Sequence, residues 1–130
     1  MKIVENKIKK CLELKQNMLD IKKNGKTYNY ISACHKYLQG LQELVYVKLE
    51  KAAKENNEEE FNKLHKFKES TFFHDCFQST ITMRNCIYFH GTTLDKKEQD
   101  RYHTLFRAEH YKLKNNMQKL EFLLEENRGE

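Results

Sequence analysis

The sequence predicts an all-α protein, a bundle of four or five helices in one domain covering residues 1–130, and three observations carry that prediction. Proline is absent and only four glycines occur in 130 residues. Lys, Glu, Leu and Gln, all good helix formers, are abundant. Apolar residues return in steps of three and four over most of the chain, the period of an amphipathic helix. At this length one core can be buried without disulfide or metal staples.

The first helix is expected from Lys2 to about Lys23, with Val4, Ile8, Cys11, Leu12, Met18 and Leu19 near helical spacing and Lys15 interrupting them. Asn24-Gly25 is a turn dipeptide and ends it. Thr27 or Asn29 can cap a second helix, whose stripe Ile31, Cys34, Leu38, Leu41, Val45, Leu49 and Ala52 is the most regular in the protein. Its tyrosines, Tyr28, Tyr30, Tyr37 and Tyr46, broaden that face, and fraying is expected at Lys54 to Asn57.

Asn57 followed by three glutamates reads as a helix start, an N-cap with negative charge in the first turn. From there the sequence permits one long helix over 58–89 or two joined near Ser70 and Thr71, where the apolar register shifts. Gly91 is expected to stop the helix, because glycine favours the left-handed position just past a helix end. Asp95 with Glu98 three residues later resembles a capping box, opening a last helix from Lys96 to about Glu126. Its apolar positions are Tyr102, Leu105, Phe106, Leu113, Met117, Leu120 and Leu124, with Glu109 and His110 filling a gap.

Composition bounds the function. The formal charge of +5, from 24 basic and 19 acidic residues, permits nucleic acid without demanding it. The lysine-rich patches Lys7–Lys10 and Lys22–Lys26 read first as solvated helix faces. The four cysteines, Cys11, Cys34, Cys76 and Cys86, have no C-x-x-C spacing and lie on or beside apolar stripes, so they read as reduced core thiols. Neither a signal-peptide core nor a membrane-length apolar run is present, which places the chain in the cytoplasm with no membrane partner. His74-Asp75-Cys76 are consecutive, His103 and His110 are two turns apart, and no H-E-x-x-H motif occurs, so no metal site is expected. Phosphate-binding glycine loops and the G-x-S-x-G elbow are also missing, so no cofactor is expected.

The stretch Thr71–Gly91 stands out because its apolar stripe contains a charge. At about 100° per residue, Phe73, Phe77, Thr80, Ile81, Ile87 and Tyr88 fall within roughly 60° of Arg84, placing the guanidinium near the middle of the stripe. That group cannot lose its proton and must find acceptors, solvent at a cleft, or a partner's anion. Asn85 follows it, and His90 lies in the expected last turn, where its ring can swing back toward the arginine.

This segment, Arg84-Asn85-Cys86-Ile87-Tyr88-Phe89-His90, resembles the HEPN superfamily (higher eukaryote and prokaryote nucleotide-binding). Its ribonuclease members carry an Arg-x(4–6)-His motif, often with Asn after the arginine. The family's compact helical bundle and the late-helix position of its motif agree with this chain in length, class and placement. Where HEPN toxins paired with nucleotidyltransferase antitoxins commonly have a tyrosine, two residues after the histidine, this chain has Thr92. The resemblance implies a homodimer joining two copies of the motif at one cleft and a metal-independent endoribonuclease. In it His90 serves as base, Arg84 steadies the phosphoryl charge, and Asn85 orients an oxygen or holds the histidine. RNA is then the substrate, and a cognate antitoxin or regulatory protein is an expected partner, in bacterial or phage defence or toxin–antitoxin pairing.

The alternative is a non-catalytic helical module binding protein or nucleic acid. In that case Arg84 pairs with a buried carboxylate such as Glu43, Glu50 or Glu109, and His90 only caps its helix.

Overall fold

A computed structural model describes residues 2–125. They form five α-helices, α1 (Lys2–Asn24), α2 (Thr27–Lys54), α3 (Glu58–Glu69), α4 (Phe72–Thr92) and α5 (Lys96–Lys119), followed by a 3₁₀ turn at Glu121–Leu124. No strand occurs among the described residues, as the all-α reading expects. The chain is thus two helical hairpins, α1–α2 and α4–α5, joined where α2 packs on α4, with the short α3 lying against α2.

Helix α2 is the centre of the bundle. Ile31, Leu38, Leu41, Leu44 and Val45 are sealed from solvent, and Val4, Ile8, Cys11 and Met18 of α1 complete that side. Burying each such aliphatic side chain contributes about 1.5–3 kcal/mol. Gly40 lets the two helices approach closely, since a Cβ there would lie 2.9 Å from Leu14 Cδ1. The cap of α2 differs from expectation: Lys26 occupies the position before the helix with no side-chain bond, and Thr27 is already helical.

Two helices replace the single long one permitted over 58–89. Asn57 caps α3 by accepting from the Glu60 amide at 3.2 Å. Ser70 then breaks the chain, its hydroxyl donating to the Phe67 carbonyl at 2.6 Å and accepting from the Phe72 amide at 3.3 Å. A short polar side chain competes here with the helical ladder and wins.

Two expectations about the α4–α5 connection are corrected. Helix α4 runs through Gly91 to Thr92 and leaves through extended Thr93 (φ −90°, ψ 145°), so no left-handed residue is needed. The turn is instead secured by Asp95, whose amide reaches the Thr93 hydroxyl and whose carboxylate accepts from Lys97 N. Glu98 does not close the reciprocal half of a capping box; it pairs with Arg101.

Helix α5 ends at Lys119, short of the expected boundary; Glu126 itself lies outside the described residues. Leu120 and Leu123 are fully buried at the 3₁₀ turn, and Leu124, expected in the stripe, is only half-buried. Lys15 bonds Glu121 at 2.6 Å, and Lys48 donates to the Glu125 carbonyl at 2.8 Å, fastening the turn to α1 and α2. All four cysteines are buried and unpaired. No helix among the described residues is long and apolar enough to cross a membrane.

Candidate functional site

Helix α4 turns toward the core with Phe73, Cys76, Ser79, Thr80, Met83 and Cys86. The centre of that face lies roughly 90° around the helix from Arg84, so the arginine sits on the flank of the buried stripe and not in its middle. The reason is chemical. Ser79 and Thr80 are buried because their hydroxyls are satisfied, Ser79 donating to Glu109 Oε1 at 2.8 Å and Thr80 to the Phe77 carbonyl at 2.7 Å. A search for apolar residues passes over Ser79, although Thr80 is counted in the expected stripe. Two residues counted in the expected stripe, Ile81 and Tyr88, are exposed beside Arg84.

Arg84 is half-buried in the groove between α4 and α2. Its guanidinium carbon lies 5.9 Å from the centre of the Tyr28 ring, a cation–π contact. Its Nε is shielded from solvent and has no hydrogen-bond partner. No carboxylate lies within ion-pair distance of it among the described residues. Of the anticipated partners, Glu43 pairs with Lys7, Glu109 accepts from Ser79, and Glu50 lines a separate cavity beside Val4.

The imidazole nearest in effect to Arg84 is His35 of α2. Its ring packs on Phe77 with centroids 5.0 Å apart, and its Nδ1 is shielded without a partner. Burial, reinforced by the Arg84 charge, pushes its pKa below the usual histidine value, so the ring is neutral at neutral pH. Sequence reasoning missed this residue. The one available signal was a matched spacing, Tyr28 and His35 seven apart on α2 against Phe77 and Arg84 seven apart on α4. Only the packing of the two helices gives that coincidence meaning.

His90 lies elsewhere. It is exposed near the end of α4, about 120° around the helix from Arg84, and it lines a cleft of ≈ 300 Å³ with Thr27, Ile87, Tyr102, His103 and Arg107. Stacking of Phe89 on Tyr102, with centroids 5.5 Å apart, fixes this end of α4 against α5. Because the helix continues through Gly91, the ring has no loop on which to swing back toward Arg84. Asn85 is exposed and sits roughly 140° from His90, so it cannot hold that histidine within one chain.

The three residues singled out in the sequence are therefore splayed. Arg84 faces α2, Asn85 faces outward, and His90 faces the α5 cleft, where His103 and Arg107 join it. Two imidazoles and a guanidinium in one open cleft can bind a phosphate and exchange protons with it. No three His, Cys, Asp or Glu side chains gather to hold a metal ion among the described residues. Compared with known proteins, the chain matches no family model, no curated sequence and no solved structure.

Proposed function

We propose that the chain is a metal-independent endoribonuclease of HEPN type, working in the cytoplasm as a twofold homodimer in defence or toxin–antitoxin pairing. The observation that carries this reading is the unpaired Arg84: a half-buried cation with a shielded, unpartnered Nε calls for an anion, and no carboxylate supplies one. Exposed Ile81 and Tyr88 beside it form an apolar margin suited to a second copy of the same face. A dimer also answers the splay within one chain, since a partner's motif can complete a cleft that a single helix cannot.

In this mechanism neutral His90 takes the proton from a ribose 2′-hydroxyl as its oxygen attacks the adjacent phosphorus. The bond from phosphorus to the 5′-oxygen breaks, and that oxygen takes a proton from a second imidazole, either His103 in the same cleft or the partner's copy of the motif. Arg84 steadies the charge on the non-bridging oxygens, and Asn85 orients one of them. The products are a 2′,3′-cyclic phosphate and a 5′-hydroxyl, and RNA and a cognate antitoxin or regulatory protein are the partners.

The test is cleavage of single-stranded RNA by the full chain in EDTA, with the ends identified. His90→Ala and Arg84→Ala should each lower the rate by at least about a hundredfold while the helical spectrum is retained. Undiminished cleavage in both variants removes the assignment.

A second reading, a non-catalytic helical binding module, is favoured by the angular separation of Arg84 from His90. It requires an absence of cleavage together with loss of self-association or of a bound partner when Arg84, Ile81 or Tyr88 is changed.

A further inference from the structure

The cleft that His90 lines has an apolar side as well as a polar one, and the ribonuclease reading uses only the polar side. Helix α5 carries both. Tyr102 and Phe106, four residues apart, form a row of rings along it, and His103 and Arg107, also four apart, form a row of nitrogen donors about 100° further round. Across from them α4 contributes Ile87 and His90.

The two rings are not equivalent. Tyr102 is already stacked on Phe89, with planes 25° apart, and Arg101 lies over it at 5.5 Å. Phe106 has one aromatic neighbour among the described residues, His110, tilted at 47° with centroids 6.1 Å apart, and it stays half-buried at the cleft. A stacking surface is therefore left at Phe106.

The arginines differ in the same way. Arg101 pairs with Glu98 and Arg84 faces Tyr28 of α2, whereas Arg107 is exposed in the cleft and makes no ion pair among the described residues. No aspartate or glutamate lines the cleft among those residues. Its charge complements an anion. At ≈ 300 Å³ it lies at the small end of ligand pockets, and a single strand of nucleic acid offers one flat ring beside each phosphate.

We infer that this cleft holds one nucleotide of a single strand, its base laid on Phe106 against Ile87 and its phosphate on Arg107 and His103. The inference rests on the ribonuclease reading for why a strand docks here, and it adds Phe106 and Arg107, which lie outside the Arg84–His90 motif. A base still stacked in a duplex cannot reach the ring.

The test is fluorescence anisotropy of the full chain with a dye-labelled oligothymidylate and with an abasic strand of the same length. Neither has a 2′-hydroxyl, so the cleft is read without chemistry. The base-bearing strand should bind about tenfold more tightly than the abasic one. Phe106→Leu, which keeps an apolar side chain, should remove most of that difference and leave the abasic strand unchanged. Arg107→Gln, at an exposed position, should weaken both strands severalfold by the same factor and lower the salt dependence of binding. Lys9→Gln on α1 is the charge control and should change neither.

Equal affinity for the two strands with Phe106→Leu silent overturns the base position, and Arg107→Gln without effect overturns the phosphate position. Binding with the expected variant effects but no cleavage of RNA supports the cleft while removing the ribonuclease reading. Cleavage that His90→Ala abolishes, with Phe106→Leu and Arg107→Gln both silent in binding, removes the nucleotide site and leaves the ribonuclease.

Discussion

In α2 the inward side is built from Ile31, Leu38, Leu41, Val45 and Leu49, whereas two of the six buried residues of α4 carry hydroxyls, Ser79 and Thr80. Both helices cross the core and both are covered by neighbours. In α2 the water-fearing residues and the buried residues largely coincide, with Lys48 buried and Tyr28 and Tyr46 exposed, so periodicity finds the face directly. In α4 they part company: Ile81 and Tyr88 are apolar and exposed, Ser79 and Thr80 are polar and buried. What distinguishes the two is local hydrogen bonding, since a satisfied hydroxyl enters a core at little penalty. The helix with the cleaner pattern is the scaffold, and the helix with the mixed pattern carries the candidate site.

The contrast can be tested by removing side chains from each helix. Leu41→Ala, at a fully buried position in α2, should lower stability by about 2–5 kcal/mol, read as a shift of the urea midpoint. A loss well under about 1 kcal/mol there would show that α2 is not the packed centre. In α4 the adjacent pair Met83 and Arg84 locates the face. Met83→Ala should destabilise by about 2–4 kcal/mol, because the side chain is fully buried. Arg84→Ala should change stability by less than about 1 kcal/mol, the value of its contact with Tyr28. Reversal of that order would return Arg84 to the middle of the stripe.

The hydroxyl argument has its own check. Ser79→Ala should cost about 1–2 kcal/mol, and a double-mutant cycle with Glu109→Gln should assign most of it to the Ser79–Glu109 bond. The smallest effect is expected at Gly91, and its sign is informative. A Cβ there would meet nothing within 4 Å and the backbone is helical, so Gly91→Ala should raise stability by about 0.5–1 kcal/mol. Destabilisation instead would restore the left-handed helix end that the sequence implied.

Much of the fold is readable from residue order alone. The absence of proline, the stripe of α2, the Asn57 cap and the Asn24-Gly25 turn each act through neighbours within a turn or two, so the local rule and the final structure agree. The break at Ser70 was readable as a place but not as a certainty, because a serine can equally ride within a helix. The site is harder. Arg84, Asn85 and His90 are recognisable as a motif, yet their directions depend on whether Gly91 ends the helix, and that is decided by Thr93 and Asp95 further on. His103 and Arg107 could not be found from spacing, and the matched spacing that includes His35 gains meaning only from packing, since each joins the site through a helix-to-helix contact across many residues.

The buried thiols of Cys11, Cys34, Cys76 and Cys86 also furnish four clocks. Burial pushes the first three up to about 11 and the fourth upward as well, so hardly any thiolate exists at neutral pH. An alkylating reagent can modify them only after the surrounding helices part. With one in α1, one in α2 and two in α4, the order in which they are consumed, followed by mass spectrometry of intact protein and peptides, would time the loosening of each helix separately under native conditions.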